Sequence, residues 1–185
     1  MSQGPNQIDA QTHFEQSTAD TLDTARRKAR DKRHSKGFRT ARENLEDLID
    51  HGSFVEYGQL AVAAQRDRRD PASLRIDTAA DGVITGTATI NSPLCGSSHS
   101  NVALAIYDYS VLAGTQGFFH HKKLDRIFEV AERDRLPFIM YTEGGGGRPG
   151  DTDVKVNIAG LNSTSFSRWA GLTGKVPRIT VNNGY

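Results

Sequence analysis

The chain has 185 residues, 36% hydrophobic and 24% charged, with a formal net charge of +1, enough for one domain or part of a larger one. The near-neutral balance gives no global pull toward nucleic acid or a membrane surface, and no run of about 18 apolar residues predicts a span. Cys95 is the single cysteine, which excludes an internal disulfide framework or cysteine zinc ribbon and points to a reducing, cytoplasmic compartment.

In chain order, residues 1–23 are polar and lack the order of a signal peptide, so a mobile arm is expected. Thr24–Arg42 follows with nine Lys or Arg against one acid, Asp31. That stretch reads as a solvated helix face, a phosphate contact, or a subunit-facing surface. A nucleic-acid role would need interleaved aromatics, and Phe38 alone does not supply them. Thr40 precedes Glu43 by three residues, the spacing of a capping box, and Leu45, Leu48 and Ile49 continue at helical spacing to a stop at Gly52. From Phe54 the pattern changes to short β-branched or alternating runs at Phe54–Ala64, Leu74–Asp77, Val83–Ile90 and Val102–Leu112, all read as strands. Gly114-Thr115-Gln116-Gly117 then turns the chain into a helix with Leu124, Ile127, Phe128 and Ala131 on one face, ended by Pro137. Phe138–Tyr141 reads as a buried strand, Val154–Trp169 as a second helix and Arg178–Val181 as a last strand. The alternation is that of a layered α/β protein. An apolar strand with no covering helix after it predicts a domain cut short at Tyr185.

The sharpest local feature is Glu143-Gly144-Gly145-Gly146-Gly147-Arg148-Pro149-Gly150-Asp151. Four glycines after a strand clear side chains from the backbone, so a ligand oxygen can approach converging amides. Such amides stabilise an enolate or oxyanion; the competing reading is a flexible linker. The loop lacks the Lys-Ser/Thr ending of a Walker motif, so ATP binding is not implied. The six histidines have no metal-ligand spacing. Glu143 reads as an acid or base, or as a residue that orders its own loop.

Five blocks, TARENLEDLIDHGSFVEYG, DGVITGTATI, DYSVLAGTQGFFHHKK, LPFIMYTEGGGGR and PRITVNNGY, occur in the order and spacing of a known family. Together they resemble the carboxyltransferase (beta) subunits of biotin-dependent acyl-CoA carboxylases, in their amino-terminal part, over about residues 25–185. The family shows Gly-Gly-Ala-Arg where this chain has Gly145-Gly146-Gly147-Arg148, and continues Ile-Gln-Glu-Gly where this chain reads Pro149-Gly150-Asp151. The resemblance implies a crotonase-like β-β-α superhelix, here an incomplete amino-terminal subdomain spanning 24–185. It implies transfer of a carboxyl group from carboxybiotin to an acyl-CoA; the alternative is a non-catalytic acyl-CoA-binding or assembly module. Gly146 and Gly147 take the catalytic role through their amides, and Gly145, Arg148, Lys123, Gly114 and Gly117 contact the acyl-CoA. Lys123 reads either as a point charge for a CoA phosphate or as a solvated helix residue. A second amide donor is expected beyond Tyr185, so the chain alone is expected to be inactive. The biotin is carried on a separate domain or subunit, no metal is expected in this segment, and the implied partners are a biotin carboxyl carrier, a biotin carboxylase and further copies of the subunit. No nucleic acid and no membrane are expected.

Overall fold

The structure is a computed structural model that describes residues 9–154 and 163–184. Three helices come first: α1 (Ala10–Ala19), α2 (Arg27–His34) and α3 (Ala41–Leu48). Where a mobile arm was expected, residues 9–23 form α1 and a turn docked against later elements. Gln59 Nε2 donates to Thr21 Oγ1 at 2.9 Å, Arg75 pairs with Asp20 at 3.3 Å, and Thr40 Oγ1 donates to Asp23 at 2.5 Å. The capping box of α3 is complete. Thr40 Oγ1 accepts from the Glu43 amide at 3.1 Å, while Glu43 accepts from the Thr40 amide at 2.8 Å. The helix stops at Leu48, because Ile49 is already extended.

Next come β1 (Val55–Tyr57), α4 (Pro71–Asp77), β2 (Val83–Thr89), α5 (Ser92–Cys95) and β3 (Asn101–Tyr107). Two strand readings are corrected here. Only three residues of Phe54–Ala64 pair, and Leu74–Asp77 is helical. The side chain of Asp70 accepts from the Ser73 amide at 3.0 Å, and Pro71 opens the first turn. That start signal, Asp-Pro, outweighs the local β-branching.

The chain closes with α6 (Phe118–Asp134), β4 (Phe138–Thr142), α7 (Ser165–Gly171) and β5 (Arg178–Asn182). The part of the expected helix Val154–Trp169 over residues 155–162 lies outside the described residues.

The strands form one sheet in the order β1-β2-β3-β4-β5. β1, β2 and β3 are antiparallel, whereas β3, β4 and β5 are parallel. Alternation along the strands divides the core. Val83, Ala103, Ala105, Phe138 and Met140 face α6 and α7, and Ile84, Leu104, Ile106 and Ile139 face Ala41 and Leu45 of α3. Phe128, Phe138 and Trp169 lock the first layer, with ring centroids 5.1–5.6 Å apart, a geometry that adds to their burial. Among the described residues β5 is a sheet edge, and Ile179 and Val181 remain 55% and 36% exposed.

Candidate active site

The glycine loop leaves β4 at the carboxyl end of the parallel strands, beside the turn Leu112–Gly114 that leaves β3. Crevices outside such strand ends are the usual ligand sites of open α/β sheets. The two turns touch backbone to backbone. A Cβ on Gly114 would overlap the Glu143 carbonyl, and one on Gly144 would overlap the Ala113 carbonyl; both residues have positive φ, +70° and +72°. Only glycine fits either position without moving the other turn. The contact continues through Gln116, whose amide donates to Gly146 O at 2.9 Å while its carbonyl accepts from the Arg148 amide at 2.8 Å. Gly145, Gly146 and Gly147 are exposed. Among the described residues, no acceptor takes up their amides.

Arg148, which the resemblance places on the acyl-CoA, instead turns inward. Its guanidinium is buried, donating to Thr115 O at 2.7 Å, to Asp151 Oδ1 at 3.4 Å and to Asp81 Oδ1. Gly117 lets these groups close in, since a Cβ there would overlap both Arg148 and Asp151. The same two carboxylates serve the start of α6: Asp151 Oδ2 accepts from the Phe118 amide at 2.8 Å and Asp81 Oδ2 from the His120 amide at 2.7 Å. Acids at a helix N-terminus satisfy otherwise unpaired amides and complement the helix dipole. Burial pushes the Asp81 carboxyl up, against the opposing pull of Arg148.

Lys123, read as a CoA-phosphate contact or a solvated helix residue, is instead buried with its ammonium on backbone carbonyls. Its ammonium donates to Ala80 O at 2.9 Å and to Val83 O. Burial pushes this ammonium down to about 7; Glu56 and Asp81 oppose the shift and Arg42 adds to it. His120 is fully buried, with Nδ1 3.2 Å from Asp81 O and no partner for Nε2 among the described residues. Burial holds it well below the usual imidazole range, with His121, Arg148 and Lys123 adding to the effect. Glu143 has both carboxylate oxygens on the Arg33 guanidinium, at 2.6 and 2.7 Å, so it anchors the loop to α2.

The basic segment therefore splits in two. Arg26 (to Asp108, 2.7 Å) and Arg33 are buried and paired. Arg26 and Ser110 hold the Asp108 carboxylate below its ordinary value, although burial, the largest influence, acts the other way. Lys28, Lys32 and Lys36, at helical spacing, are exposed along a cleft of about 750 Å³ that ends at Glu143, Leu112 and Ala113 and has Ala25, Ala29 and Ile76 on its apolar wall.

The sequence-predicted residues Gly114, Gly117 and Gly145–Arg148 thus converge on one place, with Lys123 packed behind it. Asp81 was missed. It lies 67 residues from Arg148, and only its Asp-Gly turn dipeptide marked it locally. Asp151, three residues after Arg148, carried a weak spacing signal. The described residues contain no group of three or more His, Cys, Asp or Glu able to hold a metal, and no helix long and apolar enough to cross a membrane.

This arrangement defines an α/β domain whose candidate site lies beyond the carboxyl ends of parallel strands, between a glycine loop and a lysine-lined cleft. Residues 32–184 match the carboxyl transferase domain family, and the chain belongs to it. It is 30% identical over 154 residues to the propionyl-CoA carboxylase beta chain of Saccharopolyspora erythraea, a match covering 83% of this chain and 26% of that one. It is 31% identical over 157 residues to the methylmalonyl-CoA carboxyltransferase 12S subunit of Propionibacterium freudenreichii subsp. shermanii, covering 83% and 27%. Among solved structures, it matches a single-chain, multi-domain long-chain acyl-CoA carboxylase with TM-score 0.86 and 47% identity, over 96% of this chain and 17% of that one. A transcarboxylase 12S structure, a hexamer with methylmalonyl-CoA and methylmalonic acid bound, matches with TM-score 0.77 and 25% identity over 100% and 33%. The chain spans about a quarter of the length of these curated relatives.

Proposed function

We propose that this chain forms the acyl-CoA side of a biotin-dependent carboxyltransferase, on a crotonase-type fold, in the cytoplasm and within a homo-oligomer. The observation that carries the reading is the exposed Gly145–Gly147 backbone beside a cleft lined by Lys28, Lys32 and Lys36. The loop offers amides to a thioester carbonyl, and the neighbouring cleft offers ammonium groups to phosphates. The amide of Gly147, supported by Gly146, takes the thioester oxygen. Negative charge then develops on that oxygen as the α-proton leaves for the biotin nitrogen that would be freed when the N–carboxyl bond of carboxybiotin breaks, and preorganised donors favour this state over the ground state. Carboxybiotin, presented by a biotin carboxyl carrier and recharged by a biotin carboxylase, supplies the carboxyl group.

Calorimetric titration of the chain with propionyl-CoA tests the reading. We expect binding that free CoA competes for and that Gly147→Val weakens. Absence of binding, or binding unaffected by Gly147→Val in a folded protein, overturns the assignment of the loop. Binding without carboxyl transfer in the assembled enzyme returns the chain to a non-catalytic acyl-CoA module.

A further inference from the structure

The glycine loop is held from behind by charges that never reach the cleft. Arg148 is 5% exposed and Asp81 is 0% exposed. Asp81 occupies the left-handed region at φ 47°, directly after Ala80 at φ 54°, in the turn Ala79–Gly82. Two consecutive non-glycine residues in that region are strained and persist only where surrounding contacts enforce them. Those contacts are present. Lys123 donates to the carbonyls of Ala80 and Val83, on either side of Asp81, and the Asp81 carboxylate is shared between the His120 amide and Arg148. Arg148 in turn grips Thr115 and Asp151 on the two segments that flank the loop.

We propose that Asp81 and Asp151, acting through Arg148, are positioning residues that fix the glycine loop against the N-terminus of α6 and so aim the Gly146 and Gly147 amides at the acyl-CoA carbonyl. The proposal rests on the acyl-CoA reading of the loop. All three side chains are buried behind the loop, and none lines the cleft. Their effect is on where two amides point, so it registers in recognition of one oxygen atom and not in affinity for the rest of the ligand. The guanidinium matters for its planar fork, which bonds Thr115 and Asp81 together; a lysine keeps the charge and loses that geometry.

The test compares propionyl-CoA with S-propyl-CoA, the thioether that lacks the carbonyl oxygen. The wild-type chain is expected to prefer the thioester by about tenfold, the scale of one good hydrogen bond. Asp81→Asn leaves Arg148 buried beside an uncharged partner and endangers folding, so Arg148→Lys and Asp151→Asn carry the measurement. Both are expected to bring the preference to within about twofold while leaving S-propyl-CoA affinity nearly unchanged. Amide hydrogen exchange supplies a readout independent of any ligand. In Arg148→Lys, exchange at Gln116 and at residue 148 should quicken about tenfold, while Ile84 and Leu104 in the β2–β3 ladder stay as they are. Folded variants with wild-type preference and wild-type exchange at Gln116 overturn the positioning role. If the wild-type chain binds neither ligand, the acyl-CoA reading falls, and the exchange at Gln116 alone decides whether the charges hold the loop.

Discussion

At Gly114 and Gly144 the contact between the two turns depends on the absence of side chains. Each would place a Cβ against a carbonyl of the facing turn. Gly114→Ala is therefore expected to cost about 2 kcal/mol or more, by combining overlap with a strained φ. A thermal melt reads the loss, and an unchanged Tm would mean that the turns separate freely. Gly147 differs, because its expected contribution is chemical. In the assembled enzyme Gly147→Val should lower carboxyl transfer at least about a hundred-fold, the scale of one preorganised donor, while the melt shifts little. Lys123 carries a pH signature. Below about 7 folded and unfolded chains both hold its proton; from there to the ordinary value of 10.5 only the unfolded chain does. The unfolded state binds more protons across that window, so stability from this residue rises with pH. Urea midpoints at about pH 7 and about pH 9.5 should show the wild type gaining on Lys123→Met. Parallel behaviour of the two proteins would show that the ammonium is not desolvated.

Among the elements, α3 is the clearest case of local chemistry deciding a boundary. Thr40 and Glu43 satisfy each other's amides at its start, and Thr40 also reaches Asp23 at 2.5 Å. Thr40→Ala is expected to cost about 1 kcal/mol, the usual value of a lost cap, and Thr40→Ser should recover most of it. Chemical denaturation of the three proteins measures both steps. β1 depends on a different feature. Gly86 lies opposite Glu56, and a Cβ there would overlap Val55 O and the Phe54 ring, so the strand pairs only because β2 presents no side chain at that point.

For the molecule as a whole, the division of the basic segment governs what salt should do. Arg26 and Arg33 are buried against Asp108 and Glu143 and tie α2 to the sheet ends. Removing either would leave a buried carboxylate unpaired, a loss of about 3–5 kcal/mol that acts through folding. The charges available to a ligand are Lys28, Lys32 and Lys36 along the cleft. Propionyl-CoA affinity is expected to fall as ionic strength rises, and the double change Lys28→Gln with Lys32→Gln should flatten that dependence without lowering Tm. A salt dependence identical in the double variant would remove the cleft from the phosphate path.

Patterns that repeat within a few residues were legible in the sequence. The capping box of α3, the apolar stripe of α6, the strands β2, β3, β4 and β5 and the glycine loop all follow from spacing, because helix and strand periods and turn chemistry are local physics. The five ordered blocks carried the family. The tertiary structure alone decided which charges are buried. Nothing near Arg148 in the chain points to Asp81, nothing near Arg33 points to Glu143 110 residues away, and Lys123 looks like any lysine on a helix. A side chain's solvation depends on what the rest of the chain packs around it, and that packing brings distant partners within 3 Å. The glycine turns were therefore readable from the sequence, whereas the buried charges behind them emerged only once the sheet had brought the ends of β2, β3 and β4 together.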